Sequence, residues 1–157
     1  MSEAGKKTVL IDGDVHPNAL ALFDARNDVE LVKVPLEDAT ALAARSIFGD
    51  ALYQGYGQTE VLPISMMNSA QWFATIDGSN PLRACGLALP FAEVQIWDED
   101  DKPLPANEVG EIVARSDGMM TEFWNNPEAT AERMVNGWIK TGDLGKLDAN
   151  GYLYVVD

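Results

Sequence analysis

Positive charge is scarce in this sequence. Lys and Arg number 11 against 25 Asp and Glu over 157 residues, a formal net charge of -14. A surface this acidic repels phosphate backbones and anionic lipid, which argues against nucleic-acid binding and against attachment to a membrane surface. A bound nucleotide would need a metal ion or local N–H groups to offset its charge. Cysteine is nearly absent. The lone Cys85 permits no disulfide within the chain, fits a reducing compartment and reads as a small core or loop residue. Histidine is represented only by His16, which reads as a helix-start residue rather than a catalytic base. No run approaches the ~18 apolar residues of a membrane span. The polar stretch 1–7 lacks the apolar core of a secretory signal, so the expected location is cytoplasmic. Internal repeats, low-complexity tracts and a Gly-x-x-x-x-Gly-Lys-Ser/Thr phosphate loop are all missing.

What is present is a globular composition, 46% hydrophobic. It falls into two differently patterned segments. In residues 1–46, Thr8 to Ile11 is a short apolar run ending at an Asp-Gly-Asp turn. Ala19, Leu20, Leu22 and Phe23 follow at helical spacing. Val29, Leu31, Val32 and Val34 form a second apolar run, and Ala39 to Arg45 can open another helix. Strand, helix, strand in this order predicts a βαβ start with a parallel pairing.

Residues 47–157 read as short strands and turns. Glu93–Trp97 and Gly110–Arg115 alternate apolar residues around the acidic stretch Asp98–Pro103, as a half-buried hairpin does. The acids lack the spacing of a calcium loop and read as a solvated turn. Asn126, Pro127 and Glu128 form a helix start, with Gly137 as its left-handed stop. Tyr152 to Val156 reads as a buried-type strand at the very end of the chain. Such an ending predicts a chain cut inside a larger fold, with an unpaired strand that favours self-association. The expected class is α/β: a βαβ-like piece followed by a β-rich segment.

Two constellations carry chemistry. In Gly55-Tyr56-Gly57-Gln58-Thr59-Glu60, the glycines allow close approach of a ligand and Tyr56 offers a flat ring. Thr59 offers a hydroxyl to a phosphate, and Glu60 a hard oxygen to Mg²⁺. In Thr141-Gly142-Asp143-Leu144-Gly145, glycines bracket a carboxylate in what reads as a loop, and a carboxylate can accept both hydroxyls of a ribose. Each motif alone is as well explained by an ordinary turn.

Taken in order, the motifs resemble the adenylate-forming superfamily of acyl-CoA synthetases, luciferases and peptide-synthetase adenylation domains. The resemblance runs from Ile47 to Asp157. It rests on Tyr56 to Glu60, Gly86 to Pro90, Glu93 to Ile96, Gly110 to Ile112, Trp124 to Thr130, Gly137 to Gly145 and Gly151 to Asp157. It implies part of a large domain containing a distorted barrel. It also implies ligation of a carboxylic acid to coenzyme A through an acyl adenylate, using ATP and Mg²⁺. By the same resemblance Tyr56 lies against adenine and Gly55 and Gly57 border the nucleotide and acyl pocket. Thr59 meets the α-phosphate, Glu60 holds Mg²⁺ and Asp143 binds the ribose hydroxyls.

The family's Ser/Thr/Gly-rich phosphate loop and the Lys of its small C-terminal domain have no counterpart among these residues. Lys140 and Lys146 neighbour Asp143 but match neither. The isolated chain is therefore expected to show no ligase turnover. A non-catalytic nucleotide-binding or interaction module is the alternative. Residues 1–46 resemble the opening of a D-2-hydroxyacid dehydrogenase, which makes a dehydrogenase-like fragment the third reading and places an expected junction near Ser46–Phe48.

Overall fold

A computed structural model describes residues 7–11, 26, 28–33 and 38–156. The chain divides into two units, Met1–Ile47 and Phe48–Asp157.

In the first unit β1 (Lys7–Ile11) and β2 (Val29–Lys33) pair in parallel, with Lys7 opposite Val29 and Ile11 opposite Lys33. The parallel pairing is the one expected from two apolar runs joined by a crossover. The expected helix around Ala19–Phe23, and His16, lie outside the described residues. Helix α1 (Asp38–Phe48) follows and buries Ala41 and Ala44, three residues apart on one face.

The second unit is built on one antiparallel sheet. Its strands are β3 (Tyr53–Gln58), β4 (Val61–Asn68), β5 (Gly86–Ala88), β6 (Ala92–Trp97), β7 (Gly110–Ser116), β8 (Met134–Val135), β9 (Trp138–Leu147) and β10 (Tyr152–Val155). They lie in the order β3-β4-β5-β10-β9-β7-β6, with β8 paired to β9. The helices are a single turn, α2 (Ser69–Trp72), and α3 (Pro127–Arg133). Among the described residues no helix is long and apolar enough to cross a membrane.

Alternation dictates which residues are inside. On β7, Ile112 and Ala114 face one way and Val113 the other, and all three are fully buried. Val61, Ile64, Ala114 and Ile139 form one apolar cluster; Ile96, Ile112 and Leu153 form a second. Trp97, Val113 and Trp138 pack together on the opposite face. The sheet curls so that β4 packs against β6 and β7, and the Met120 N–H bonds the Glu60 carbonyl at 2.7 Å. Between β5 and β4 the backbones nearly touch. A Cβ on Gly86 (φ +124) would stand 2.7–2.9 Å from Met66 backbone atoms, so only glycine fits there.

The expected β6–β7 hairpin is present, with Val94 opposite Ala114 and Ile96 opposite Ile112. Asp98 closes its acidic turn by accepting the Asp100 and Lys102 N–H groups, each at 2.9 Å. The α3 start is also as expected. The Asn126 side chain accepts the Ala129 N–H at 3.1 Å, with Pro127 and Glu128 in the first turn.

Three expectations need correction. Gly137 does not stop α3, which ends at Arg133. Met134–Val135 then pairs with Trp138–Ile139, and Asn136 (φ 51) and Gly137 (φ 79) form the tight turn between them. Two consecutive positive φ values are what an Asn-Gly hairpin turn requires. The segment Thr141 to Gly145 is strand rather than loop: it belongs to β9, with Gly142 at φ +80 opposite a register shift between Glu111 and Val113 on β7. Finally, β10 is not an unpaired strand. It lies between β5 and β9 and bonds both; the edges of the sheet are β3 and β6.

Candidate functional site

The β3–β4 hairpin turns on just two residues, Thr59 and Glu60, with Gln58 opposite Val61. Tyr56 and Gln58, two apart on β3, therefore share a face. The Tyr56 ring packs against both apolar clusters, and its hydroxyl emerges to donate to Asp143 Oδ2 at 2.5 Å. Gln58 Nε2 donates to the same Oδ2 at 3.1 Å and to the Thr141 carbonyl at 2.8 Å. The two motifs, 87 residues apart, thus meet side chain to side chain.

The β9 bulge is held from beneath. The buried Thr141 hydroxyl donates to the Ile112 carbonyl at 2.7 Å and accepts the Asp143 N–H at 3.1 Å. The Gly142 N–H donates to Glu111 Oε1 at 3.1 Å. These bonds aim the half-buried Asp143. Its Oδ2 takes two donors, while no hydrogen bond reaches Oδ1 from the described residues. A carboxylate with one satisfied and one open oxygen is fixed in direction yet still able to accept.

Burial, reinforced by the bond to Asp143, raises the Tyr56 phenol well above the ordinary tyrosine range. It stays protonated and donating at any physiological pH. Lys140 is raised by its bond to Asp101, which together with Glu111 outweighs the opposing effect of desolvation. Burial also raises the Cys85 thiol, which leaves it a poor nucleophile.

Beside this pair lies a cleft of about 440 Å³ lined by Gly57, Gln58, Thr59, Glu60, Arg133, Lys140 and Thr141. Of the residues expected from sequence, Gly57, Thr59 and Glu60 share the cleft, and Tyr56 and Asp143 are joined directly. Gly55 stands apart, facing the Ser65 carbonyl across the hairpin. Gln58, Thr141 and Arg133 received no role from sequence. The period-2 rule applied to Tyr56 would have found Gln58. Nothing local marks Arg133, which the Asn136–Gly137 turn folds back onto β9. Among the described residues no group of three His, Cys, Asp or Glu stands together as a metal cage. Glu60 is the carboxylate in the cleft. A lone carboxylate suits a magnesium ion held mainly by phosphate oxygens and water.

Comparison with known proteins agrees with the motif pattern. A family model described as AMP-binding enzyme matches residues 23–124 and so runs across the expected junction near Ser46–Phe48. A long-chain-fatty-acid–CoA ligase from Escherichia coli O6:H1 is 32% identical over 79% of this chain and 21% of its own length. A 4-coumarate–CoA ligase from Solanum tuberosum is 36% identical over 97% of this chain and 30% of its own. Among solved structures, the amide bond synthetase McbA from Marinactinospora thermotolerans superposes with a TM-score of 0.70. It is 29% identical over 96% of this chain and 32% of that one. The chain thus spans between a fifth and a third of the length of the relatives it matches.

Proposed function

Because the chain belongs to the AMP-binding enzyme family, we propose that it supplies the adenosine-binding part of an ATP-dependent carboxylic acid–coenzyme A ligase working through an acyl adenylate. The observation that supports this most directly is the Tyr56–Asp143 hydrogen bond, which unites two distant motifs around a carboxylate with one open oxygen. In this reading Asp143 accepts ribose hydroxyls through Oδ1, and Tyr56 and Gln58 hold it in direction. Tyr56, with Gly55 and Gly57 on either side, borders the base. Thr59 donates its hydroxyl to the α-phosphate.

In the overall reaction a substrate carboxylate attacks the α-phosphorus of ATP and pyrophosphate leaves. The thiol of coenzyme A then attacks the acyl carbonyl, and AMP leaves. Magnesium, when bound, neutralises the phosphate charge that grows in the first step; Glu60 is the residue of this chain that would hold it. The acid is of the fatty or aromatic kind named for the relatives, and the proposed compartment is the cytoplasm.

The test is calorimetric titration of the 157-residue chain with adenosine and with Mg·ATP. Asp143→Ala is expected to weaken adenosine binding roughly ten- to a hundredfold, the range of a hydrogen bond to a charged group. Glu60→Ala should leave adenosine unchanged, because its role runs through metal and phosphate. Adenosine binding that survives Asp143→Ala would sink the assignment. No binding by the parent would favour an interaction module instead.

A further inference from the structure

The cleft holds two cations, and they are not equivalent. Lys140 Nζ is held between Asp101 Oδ1 at 2.6 Å and Glu111 Oε2 at 3.3 Å, so its charge is already matched. Arg133 forms no ion pair with any described residue. By contrast Arg26, Lys102 and Arg115 each hold a carboxylate, and Lys146 lies over the Tyr154 ring.

Arg133 is exposed, and one hydrogen bond directs it. Its Nη1 donates to the Lys140 carbonyl at 3.2 Å, and the guanidinium lies directly over Gly142. A Cβ at Gly142 would come within 2.6 Å of Nη1 and 3.4 Å of Cζ. The glycine at φ +80 therefore serves twice: it permits the bulge that presents Asp143, and it leaves room for the arginine. No described residue accepts from Nε or Nη2. An exposed arginine steered over Gly142 by one hydrogen bond, with free donors and an unmatched charge, sharing a cleft with the Thr59 hydroxyl, has the chemistry of a phosphate ligand.

The geometry points to Arg133 as a phosphate-binding residue of this cleft, acting with Thr59 on the phosphate nearest the ribose. The inference rests on the nucleotide reading above and adds to it: Asp143 selects the sugar, and Arg133 supplies the positive charge. It also supplies positive charge for an anion in a chain of net charge -14: Lys140 is matched by its own carboxylates, and Arg133 is the cleft cation left to offset Glu60 and a phosphate.

The discriminating measurement is the ratio of AMP to adenosine affinity for the 157-residue chain. Titration with a metal chelator present leaves Glu60 no ion to hold. The parent is expected to prefer AMP by roughly tenfold, the low end for an ionic hydrogen bond in an open site. Arg133→Ala should remove that preference and leave adenosine binding where it was. Arg133→Lys should retain part of it, since the charge stays and the planar fork is lost. Arg133 is exposed at the end of α3, so adenosine binding also reports that the variants are folded. An AMP preference that persists in Arg133→Ala overturns the inference. So does a parent that binds the two ligands equally, and in that case the adenosine site still stands. A parent that binds neither overturns the nucleotide reading, and this inference falls with it.

Discussion

Asp143 and Asp148 are five residues apart, one on β9 and the other just past its end, and each accepts a hydrogen bond from a tyrosine hydroxyl. Their surroundings differ. Asp148 is 5% exposed and both its oxygens are used. Oδ1 takes the N–H groups of Asn150 at 2.9 Å and Tyr152 at 3.0 Å, and Oδ2 takes the Tyr154 hydroxyl at 2.8 Å. The turn is tied further when Asn150 Nδ2 donates to the Asp77 carbonyl and to Ser79 Oγ, each at 2.9 Å. Asp143 is half-buried, and its donors all fall on one oxygen. A buried carboxylate with both oxygens used is a structural element; a partly open one with an unused acceptor is equipped for a ligand. The residue type is the same, one in a bulged strand and one in a turn, and the unspent oxygen of Asp143 is the difference a ligand could use.

The sharpest test of that contrast is stability. Asp148→Ala removes the acceptor used by Asn150, Tyr152 and Tyr154 and orphans the buried Tyr152 N–H, which should cost about 3 kcal/mol of unfolding free energy. Asp143→Ala takes an acceptor from the Tyr56 hydroxyl, while Gln58 keeps the Thr141 carbonyl, and should cost about 1 kcal/mol or less. Urea denaturation of both variants measures the difference. Equal losses would mean that Asp143 is as structural as Asp148 and would break the comparison.

A smaller effect concerns pH. Burial alone would raise Asp148. Bonds from Ser79, Tyr154 and the N–H groups of Tyr152 and Asn150 outweigh it and hold the group below its ordinary value. A carboxylate with a depressed folded pKa stabilises the protein above its unfolded pKa, near 4, and that contribution is lost as pH falls through the folded value. The parent should therefore lose stability below about pH 4 more steeply than Asp148→Asn, which has nothing to protonate. The two stabilities, apart at neutral pH, should converge in acid. Parallel curves would mean that the carboxylate charge contributes nothing at this turn.

The contrast also explains what could be read in the sequence. The hairpin of β6 and β7, the parallel pair in the first unit and the start of α3 all follow from local rules of alternation, apolar runs and capping, and these appear in the structure. The family followed from motif order, and the family match bears it out. Non-local pairing was not legible. The final strand looked unpaired because its neighbours, β5 and β9, are set by the curl of the sheet. The Thr141–Gly145 segment looked like a loop because two glycines flank an acid, whereas pairing with β7 makes it a bulged strand. The partners of Asp148, Tyr154 and Ser79, are recognisable only once the turn is folded. The Asp143 assignment came from resemblance, and its orientation by Tyr56 and Gln58 emerged only from the folded hairpin.

The finest distinction is whether the two donors on Asp143 Oδ2 position the carboxylate or compete for it. Gln58→Met keeps length and shape and removes the Nε2 donor, leaving Tyr56 as the sole partner of Oδ2. If the donors position Asp143, the carboxylate gains freedom and adenosine affinity should fall about threefold, the size of one partly exposed hydrogen bond. Tyr56→Phe should act in the same direction. The double variant should lose less than the sum of the two, since both donors restrain a single oxygen. Because Gln58 lies in a half-open cleft, the change in stability should stay within about 0.5 kcal/mol. A rise in affinity would mean that Oδ2 is itself a ligand oxygen normally blocked by Tyr56 and Gln58. Asp143 would then grip both ribose hydroxyls with both oxygens, and the open Oδ1 would not be what distinguishes it from Asp148. Adenosine titrations of the two single variants and the double variant separate these cases by the sign of the change alone.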